Sequence, residues 1–363
     1  MKTTKKENMQ TEHIVYNASA TMMKDVKNES VSLVVTSPPY PMIDMWDDSF
    51  NAQHVVIETE DDTRIITTFN NMHVILREVW KECYRVLSPG GYLCINIGDA
   101  TRTINGTFRL FSNHSKILQD CLALGFHNLP NIIWRKQTNA PNKFMGSGML
   151  PGGAYVTLEH EYILIFRKPG KRLFKADADK KLRKESAFFW EERNIWFSDV
   201  WDFKGTNQGL NGNAARERSG AYPVELPHRL INMYSLRRDT VLDPFLGTGT
   251  TTLAAMLNGR NSIGYDIDPS FLNVLDSRVN GSFIAEANRI TYNRIRNHSQ
   301  FIEDYTKKGK QPKHANANYN FPVITSQETD LKLYGVSDIA RESNNKYSVT
   351  YTEPDVNQQY LLF

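Results

Sequence analysis

Cysteine is scarce in this 363-residue chain: Cys83, Cys94 and Cys121 lie far apart in apolar surroundings. That spacing fits reduced core thiols of a cytoplasmic protein better than a disulfide framework or a zinc site. Long hydrophobic runs are missing too. No stretch reaches bilayer length and no leader-like segment is evident, so no membrane partner and no export are expected. Charge of one sign is not in excess, with 43 basic against 40 acidic side chains and a net charge of +3. A nucleic-acid partner is therefore not indicated by the totals, and any basic surface must come from local clustering. There is no internal repeat and no Ser-His-Asp or Cys-His arrangement. His114, His127 and His160 read as loop or surface residues, and no metal site is expected.

What remains is the composition of a soluble globular protein, 40% hydrophobic and 23% charged. Its organising stretch is Val31–Val35 followed by Thr36-Ser37-Pro38-Pro39-Tyr40. The apolar run reads as a buried parallel strand that two prolines stop. It delivers Ser37, Pro38, Pro39 and Tyr40 to the carboxyl end of a sheet, where open α/β folds bind ligands. Around it, strand-like segments (His13–Tyr16, Tyr92–Ile97, Leu129–Trp134, Glu161–Phe166, Thr240–Leu242, Ser262–Tyr265) alternate with helical ones. The helices are expected near Ala20–Val26, Asn70–Leu87, Ile117–Leu124, Tyr222–Tyr234, up to Leu257, and over Pro269–Val279. This alternation predicts an α/β fold with a doubly wound, mostly parallel sheet.

A second motif lies some 200 residues later. The strand Thr240–Leu242 leads into Asp243-Pro244-Phe245-Leu246-Gly247-Thr248-Gly249-Thr250, then a helix, then a strand ending at Asp266. Gly247 and Gly249 permit positive φ and close approach of a ligand to the backbone. Asp266 stands where a carboxylate binds ribose hydroxyls in dinucleotide folds. The third glycine of G-x-G-x-x-G is missing, and Asp243 would repel a pyrophosphate while attracting the ammonium of a methionine moiety. The loop therefore points to S-adenosylmethionine rather than a nicotinamide cofactor.

These residues carry a family resemblance. Thr36–Tyr40, Arg85-Val86-Leu87-Ser88-Pro89-Gly90-Gly91, Pro223-Val224-Glu225-Leu226 with Arg229-Leu230-Ile231, and Asp243–Thr250 resemble the permuted amino-methylating DNA methyltransferases, in which S-P-P-Y precedes the cofactor loop. The likeness spans about residues 13–280. It implies a seven-stranded sheet of the S-adenosylmethionine-dependent methyltransferase type, with Val31–Val35 and Val241–Leu242 as neighbouring central strands. It also implies that Asp243, Pro244, Phe245, Gly247 and Gly249 line the methionine end of the cofactor, that Asp266 binds ribose, and that Ile267 packs near adenine. Two stretches depart from the pattern: Asn17–Ala20 replaces the usual Gly-Asp-Ala, and Gly220–Pro223 replaces Gln-Lys-Pro. No cofactor contact is carried over to Ser19 or Tyr222.

The implied reaction is methylation of an exocyclic amine of a base flipped out of duplex DNA. That amine is a weak nucleophile because its lone pair is delocalised into the ring. The Ser37 hydroxyl and Pro38 carbonyl are acceptors for its two N–H groups, and Tyr40 can stack on the base. In the family a leading serine leans towards cytosine N4 and a leading aspartate towards adenine N6. The reading is thus a sequence-specific cytosine-N4 methyltransferase, paired functionally with a restriction endonuclease without a stable complex. An adenine-N6 enzyme and a non-enzymatic nucleic-acid-binding module are the alternatives. Asp99, at the end of its strand, is read either as facing the same crevice or as a helix N-cap.

Five segments are expected. They are a flexible N-terminus (1–12), a catalytic half (13–167), a small DNA-recognition insert (168–220), a cofactor-binding half (221–280) and a basic C-terminal extension (281–363). In the insert, Lys171, Arg172, Lys180, Lys181, Arg183 and Lys184 are candidates for phosphate contact, with Trp190, Trp196 and Trp201 as a small supporting core. Arg289–Lys313 is a second candidate.

Overall fold

A computed structural model describes residues 9–136, 145–205 and 222–354. Residues 1–8 and 355–363, part of the loop 138–153 and the Gly- and Asn-rich loop 207–220 lie outside the described residues. The strands are β1 (Met9–Asn17), β2 (Val31–Thr36), β3 (Leu87–Ile97), β4 (Ile132–Arg135), β5 (His160–Arg167), β6 (Val200–Asp202), β7 (Thr240–Asp243), β8 (Asn261–Asp266), β9 (Gly335–Ser343) and β10 (Lys346–Thr352). The principal helices are α1 (Asp62–Val86), α2 (Asn113–Ala123), α3 (Glu225–Tyr234), α4 (Thr250–Leu257), α5 (Ser270–Arg278) and α6 (Gly281–Lys307).

Their sheet order is β6-β4-β5-β3-β2-β7-β8-β1-β10-β9, with the short strand His127–Asn128 pairing beside β5. The five central strands, β3, β2, β7, β8 and β1, are parallel, while β5 runs antiparallel to β3. The seven strands from β4 to β1 are those the sequence leads one to expect. The sheet is larger than that, with eleven strands in all. The hairpin β9–β10 adds antiparallel to β1, and β6 adds parallel to β4.

Two crossovers leave the centre in opposite directions. β2 leads through α1 to β3, and β7 leads through α4 to β8. Right-handed crossovers going opposite ways put their helices on opposite faces. The two cores confirm it. On one face Val34, Leu93, Ile95 and Leu242 pack with Leu76, Val79 and Trp80 of α1. On the other, Leu33, Val35 and Val241 pack with Ala254 and Ala255 of α4 and Leu226 and Leu230 of α3. Between β2 and β7 lies the topological switch point, where such sheets open a ligand crevice. All three cysteines are buried and free.

Several elements differ from expectation for physical reasons. The segment Ala20–Val26 forms turns instead of a helix. Arg85 donates to the carbonyls of Met23 (2.8 Å) and Val26 (2.9 Å), and Glu82 accepts the Met23 amide (2.7 Å), so these groups are not free for helical bonding. α1 starts earlier than Asn70, because the Asp61 side chain caps it by accepting the Arg64 amide and Ile65 and Thr68 extend its buried face. β1 begins at Met9, inside the stretch expected to be flexible.

The C-terminal segment is not an appendage. α6 buries Phe283 and Ala287 against Val336 of β9, and the Tyr351 hydroxyl donates to the Met256 carbonyl at 2.6 Å. Arg294 is bound to Glu192 at 2.6 and 2.8 Å, so it serves packing rather than phosphate contact. Nor do the insert's tryptophans form a core of their own. Trp201 joins the main core beside Trp134, Trp196 packs edge-on against His228 of α3, and Trp190 stays partly exposed. Among the described residues, no helix is long and apolar enough to cross a membrane.

Candidate active site

Register brings the two motifs together. Leu33 and Val34 of β2 pair with Val241 and Leu242 of β7, so Thr36 and Asp243 end side by side. The Thr36 hydroxyl donates to Asp243 Oδ1 at 2.7 Å, a buried bond across 207 residues of sequence. Thr251, in the first turn of α4, donates to the Val35 carbonyl at 3.2 Å and is hydrogen-bonded to the Tyr222 hydroxyl. Both loops open onto one cavity of about 640 Å³. Its lining includes Ser37, Pro38, Pro39 and Tyr40 from one motif and Asp243, Pro244, Phe245, Gly247, Asp266 and Ile267 from the other.

One expected contact falls away. Gly249 does not reach the cavity. It sits at φ +77° as the residue before α4, and a Cβ there would lie 2.6 Å from Leu275 Cδ1. It is glycine for the turn and for α5 packing. Gly247, at φ +51°, has no atom nearer than 3.9 Å in the Cβ direction, which leaves the backbone open to a ligand. Ser19 and Tyr222, left out by the sequence reading, do line the cavity.

Burial sets the electrostatics. It raises the Asp243 carboxyl to about 7, against the Thr36 bond and a 3.1 Å bond from the Phe245 amide. Those hydrogen-bond donors are neutral, so the carboxylate lacks the cation that would stabilise its charge. Burial also raises Asp266 to about 6, although Oδ2 accepts the Gly247 amide (2.8 Å) and Oδ1 the Asp268 amide (3.0 Å). Beside the glycine turn the cavity thus offers Asp243, buried at the strand end, and Asp266, which ties that turn to β8. A cationic ammonium against Asp243 and hydroxyl donors against Asp266 are the ligand groups that fit.

Around Ser37 and Tyr40 the cavity holds residues that sequence reasoning missed. Ser37 Oγ donates to the Tyr40 hydroxyl at 3.1 Å, and Tyr40 donates to Glu161 Oε2 at 3.0 Å. Asn96 Nδ2 donates to the same hydroxyl (3.0 Å) and to Glu161 Oε2 (2.6 Å), and Lys136 Nζ pairs with Glu161 Oε1. A signal for Asn96 and Glu161 exists in the sequence: each is a polar side chain inside an apolar strand, a placement that needs partners when buried. Asp99 is not the N-cap of α2, which is Ser112, but it accepts the first-turn His114 amide at 3.1 Å and pairs with the His114 ring at 2.8 Å. His114 and His160 both contact the Tyr162 ring, and His127 is exposed.

The candidate phosphate contacts lie elsewhere. Gly90 donates to the Lys168 carbonyl at 3.1 Å, Lys168 donates to the Gly91 carbonyl at 2.9 Å, and Arg172 is ion-paired with Asp239. These are the amino ends of β3 and β7, opposite the catalytic loops. Lys171, Arg172, Arg183 and Lys184 line a groove with Ser32 and Gly90 on that far rim. Six residues of β2 separate the rims, about 17 Å at 3.3 Å per residue. Lys180 pairs with Asp177 and Lys184 with Asp330. The structure thus places this cluster on the rim opposite the Ser37–Tyr40 and Asp243–Gly249 loops.

The switch-point crevice, its paired loops and the seven strands from β4 to β1 define the fold of the S-adenosylmethionine-dependent methyltransferases. Within that class the chain belongs to the N6/N4 family of DNA methylases, which it matches over residues 31–277. It is 49% identical over 351 residues to the type II methyltransferase M.MthZI of Methanothermobacter thermautotrophicus, covering 95% of this chain and 96% of that one. It is 50% identical over 281 residues to the type II methyltransferase M.MjaI of Methanocaldococcus jannaschii, covering 74% and 91%. Among solved structures, a DNA modification methylase of Thermus thermophilus complexed with S-adenosyl-L-methionine superposes with a TM-score of 0.58 at 31% identity, covering 76% of this chain and 95% of that one.

Proposed function

We propose that this protein uses S-adenosylmethionine to methylate the exocyclic N4 of cytosine in duplex DNA, within a specific sequence, as the modification partner of a restriction endonuclease. One observation carries the reading: the Ser37–Tyr40 loop and the Asp243–Asp266 loop line a single cavity. When bound, the cofactor supplies a methyl group already activated by a sulfonium. The chain's own residues then bind and orient. Asp243 takes the ammonium of the methionine moiety, Asp266 the ribose hydroxyls, and Ile267 lies against the adenine.

On the substrate side, Ser37 Oγ and the Pro38 carbonyl accept the two amine N–H groups, which frees the nitrogen lone pair for attack. Positioning of this kind supplies much of a methyl transfer without a strong base beforehand. The leading Ser37, rather than an aspartate, supports cytosine over adenine. Relatives named as type II methyltransferases support the pairing with a restriction enzyme. A flipped base is required because the amine is unreachable inside the duplex. The DNA then docks on the catalytic rim, beside the hairpin Ala100–Phe111 and the Met145–Tyr155 turn, which meet through stacked Phe108 and Tyr155 rings 4.4 Å apart.

The test is transfer of labelled methyl from S-adenosylmethionine to unmethylated duplex DNA, followed by digestion to nucleosides. N4-methylcytosine is expected, and Ser37→Ala is expected to bind cofactor normally while losing roughly a hundredfold or more in turnover. N6-methyladenine in the digest overturns the cytosine assignment, and no transfer overturns the enzyme.

A further inference from the structure

The methylated amine must lose a proton, and the site contains a path for it. Tyr40, Asn96 and Glu161 are all buried, at 8%, 1% and 9% exposure. The polarity of their bonds follows from what each group can donate. Asn96 gives a hydrogen to the Tyr40 hydroxyl, and the Glu161 carboxylate has none to give. The tyrosine therefore donates to Glu161 Oε2 (3.0 Å), and Ser37 Oγ donates to the tyrosine (3.1 Å). With its own hydrogen turned inward, Ser37 Oγ keeps its lone pairs for the substrate amine.

Resting on the function proposed above, we infer that Ser37, Tyr40 and Glu161 form a proton path from the substrate amine to a buried carboxylate. As the amine nitrogen forms its bond to the methyl carbon, the carbon–sulfur bond breaks and its electron pair stays on sulfur. The nitrogen's surplus proton passes to Ser37 Oγ, the serine's proton to Tyr40 Oη, and the tyrosine's proton to Glu161 Oε2. The carboxylate ends neutral, and the thioether product carries no charge. Lys136, paired with Oε1, gives the carboxylate a cationic partner and holds it in line. The side chain of Glu161 retains 12% exposure, which is its route for returning the proton to solvent between turnovers. Burial and the adjacent carboxylate hold the Tyr40 phenol well above its ordinary value, so it hands protons on rather than standing ionised.

A structural role for Glu161, merely holding the tyrosine ring, predicts something different, and single-turnover methyl transfer at saturating cofactor and DNA separates the two. On the proton path, protons move together with methyl transfer, so the wild-type rate falls in deuterated water. In Glu161→Gln, which keeps an acceptor for Tyr40, the rate drops by roughly a hundredfold and that solvent isotope effect disappears. Tyr40→Phe loses the effect likewise, Glu161→Asp restores it in part, and cofactor and DNA affinities stay within about twofold throughout. A Glu161→Gln enzyme that keeps the wild-type solvent isotope effect, whatever its rate, overturns the path while leaving the proposed function intact. A wild-type protein that transfers no methyl to DNA overturns both.

Discussion

Thr36→Val is a small change with a calculable consequence for cofactor binding. The valine keeps the size and β-branching of a fully buried strand residue but removes the 2.7 Å donor to Asp243 Oδ1. Asp243 is already raised from 3.8 to about 7 by burial. That difference corresponds to about 4 kcal/mol against the ionised form. Because the folded value exceeds the unfolded one, the cofactor-free protein holds a proton that the unfolded chain has released between about 4 and 7. The contribution of the neutral carboxyl to stability is complete below about 4 and is lost as pH rises through about 7. Binding of a cationic ammonium runs the other way, since it needs the carboxylate. S-adenosylmethionine affinity should therefore rise with pH and level off above about 7, falling by up to about tenfold per pH unit below it. A hydrogen bond to a charged group contributes about 1.5–3 kcal/mol, so its removal should move that midpoint up by about one to two pH units. Calorimetric titration from pH 5.5 to 9 reads the midpoint directly, and the variant should approach wild-type affinity only at the alkaline end. Affinity independent of pH in the wild type, or an unmoved midpoint in Thr36→Val, refutes the assignment of Asp243 to the cofactor's cation.

Gly249→Ala should cost roughly 2 kcal/mol in urea unfolding, since it forces an L-residue into φ +77° and drives a methyl to 2.6 Å from Leu275 Cδ1; a loss under 0.5 kcal/mol would contradict the turn's geometry. Arg294→Ala strands the buried Glu192 carboxylate, both side chains being 12–13% exposed, and should destabilise by about 3–5 kcal/mol in the same assay. The double variant Lys180→Ala, Lys181→Ala should leave DNA affinity and its salt dependence unchanged, because both lysines lie on the far-rim helix Asp177–Glu185; a slope reduced by about one or two ions would put DNA on that rim after all.

The central fold was legible because its signals are local. Val31–Thr36 is apolar on both faces, Leu76, Val79 and Cys83 mark one face of α1, and the glycine turn after β7 has its own chemistry. Strand adjacency across the 207 residues from Thr36 to Asp243 came through the family resemblance, not through any local pattern. What was not legible is set by tertiary partners. Nothing within Ala20–Val26 announces that Arg85 will take its carbonyls, and nothing near Lys171 announces that Gly90 and Gly91 will hold that segment at the amino end of β3. The basic cluster was read from composition, which carries no direction. Only the sheet says which rim it occupies.

Thr36 and Ser37 also explain why the two halves of the site sit where they do. Successive side chains of an extended segment point to opposite sides, so adjacent hydroxyls at the end of β2 serve different partners. Thr36 turns to Asp243 in the cofactor half, and Ser37 turns to Tyr40 in the substrate half. Behind them, Thr251 at the start of α4 donates to the Val35 carbonyl, which ties the cofactor helix to the strand that carries the substrate loop. On the proposed roles, the distance between methyl donor and acceptor amine is set by buried bonds between two central strands rather than by loop-to-loop contact. A shift of one residue in the β2–β7 register would separate Thr36 from Asp243 and displace the whole Ser37–Tyr40 loop relative to the glycine turn after β7. Placing both loops at one switch point makes alignment of the reacting atoms a property of the sheet, where packing on both faces holds it most firmly.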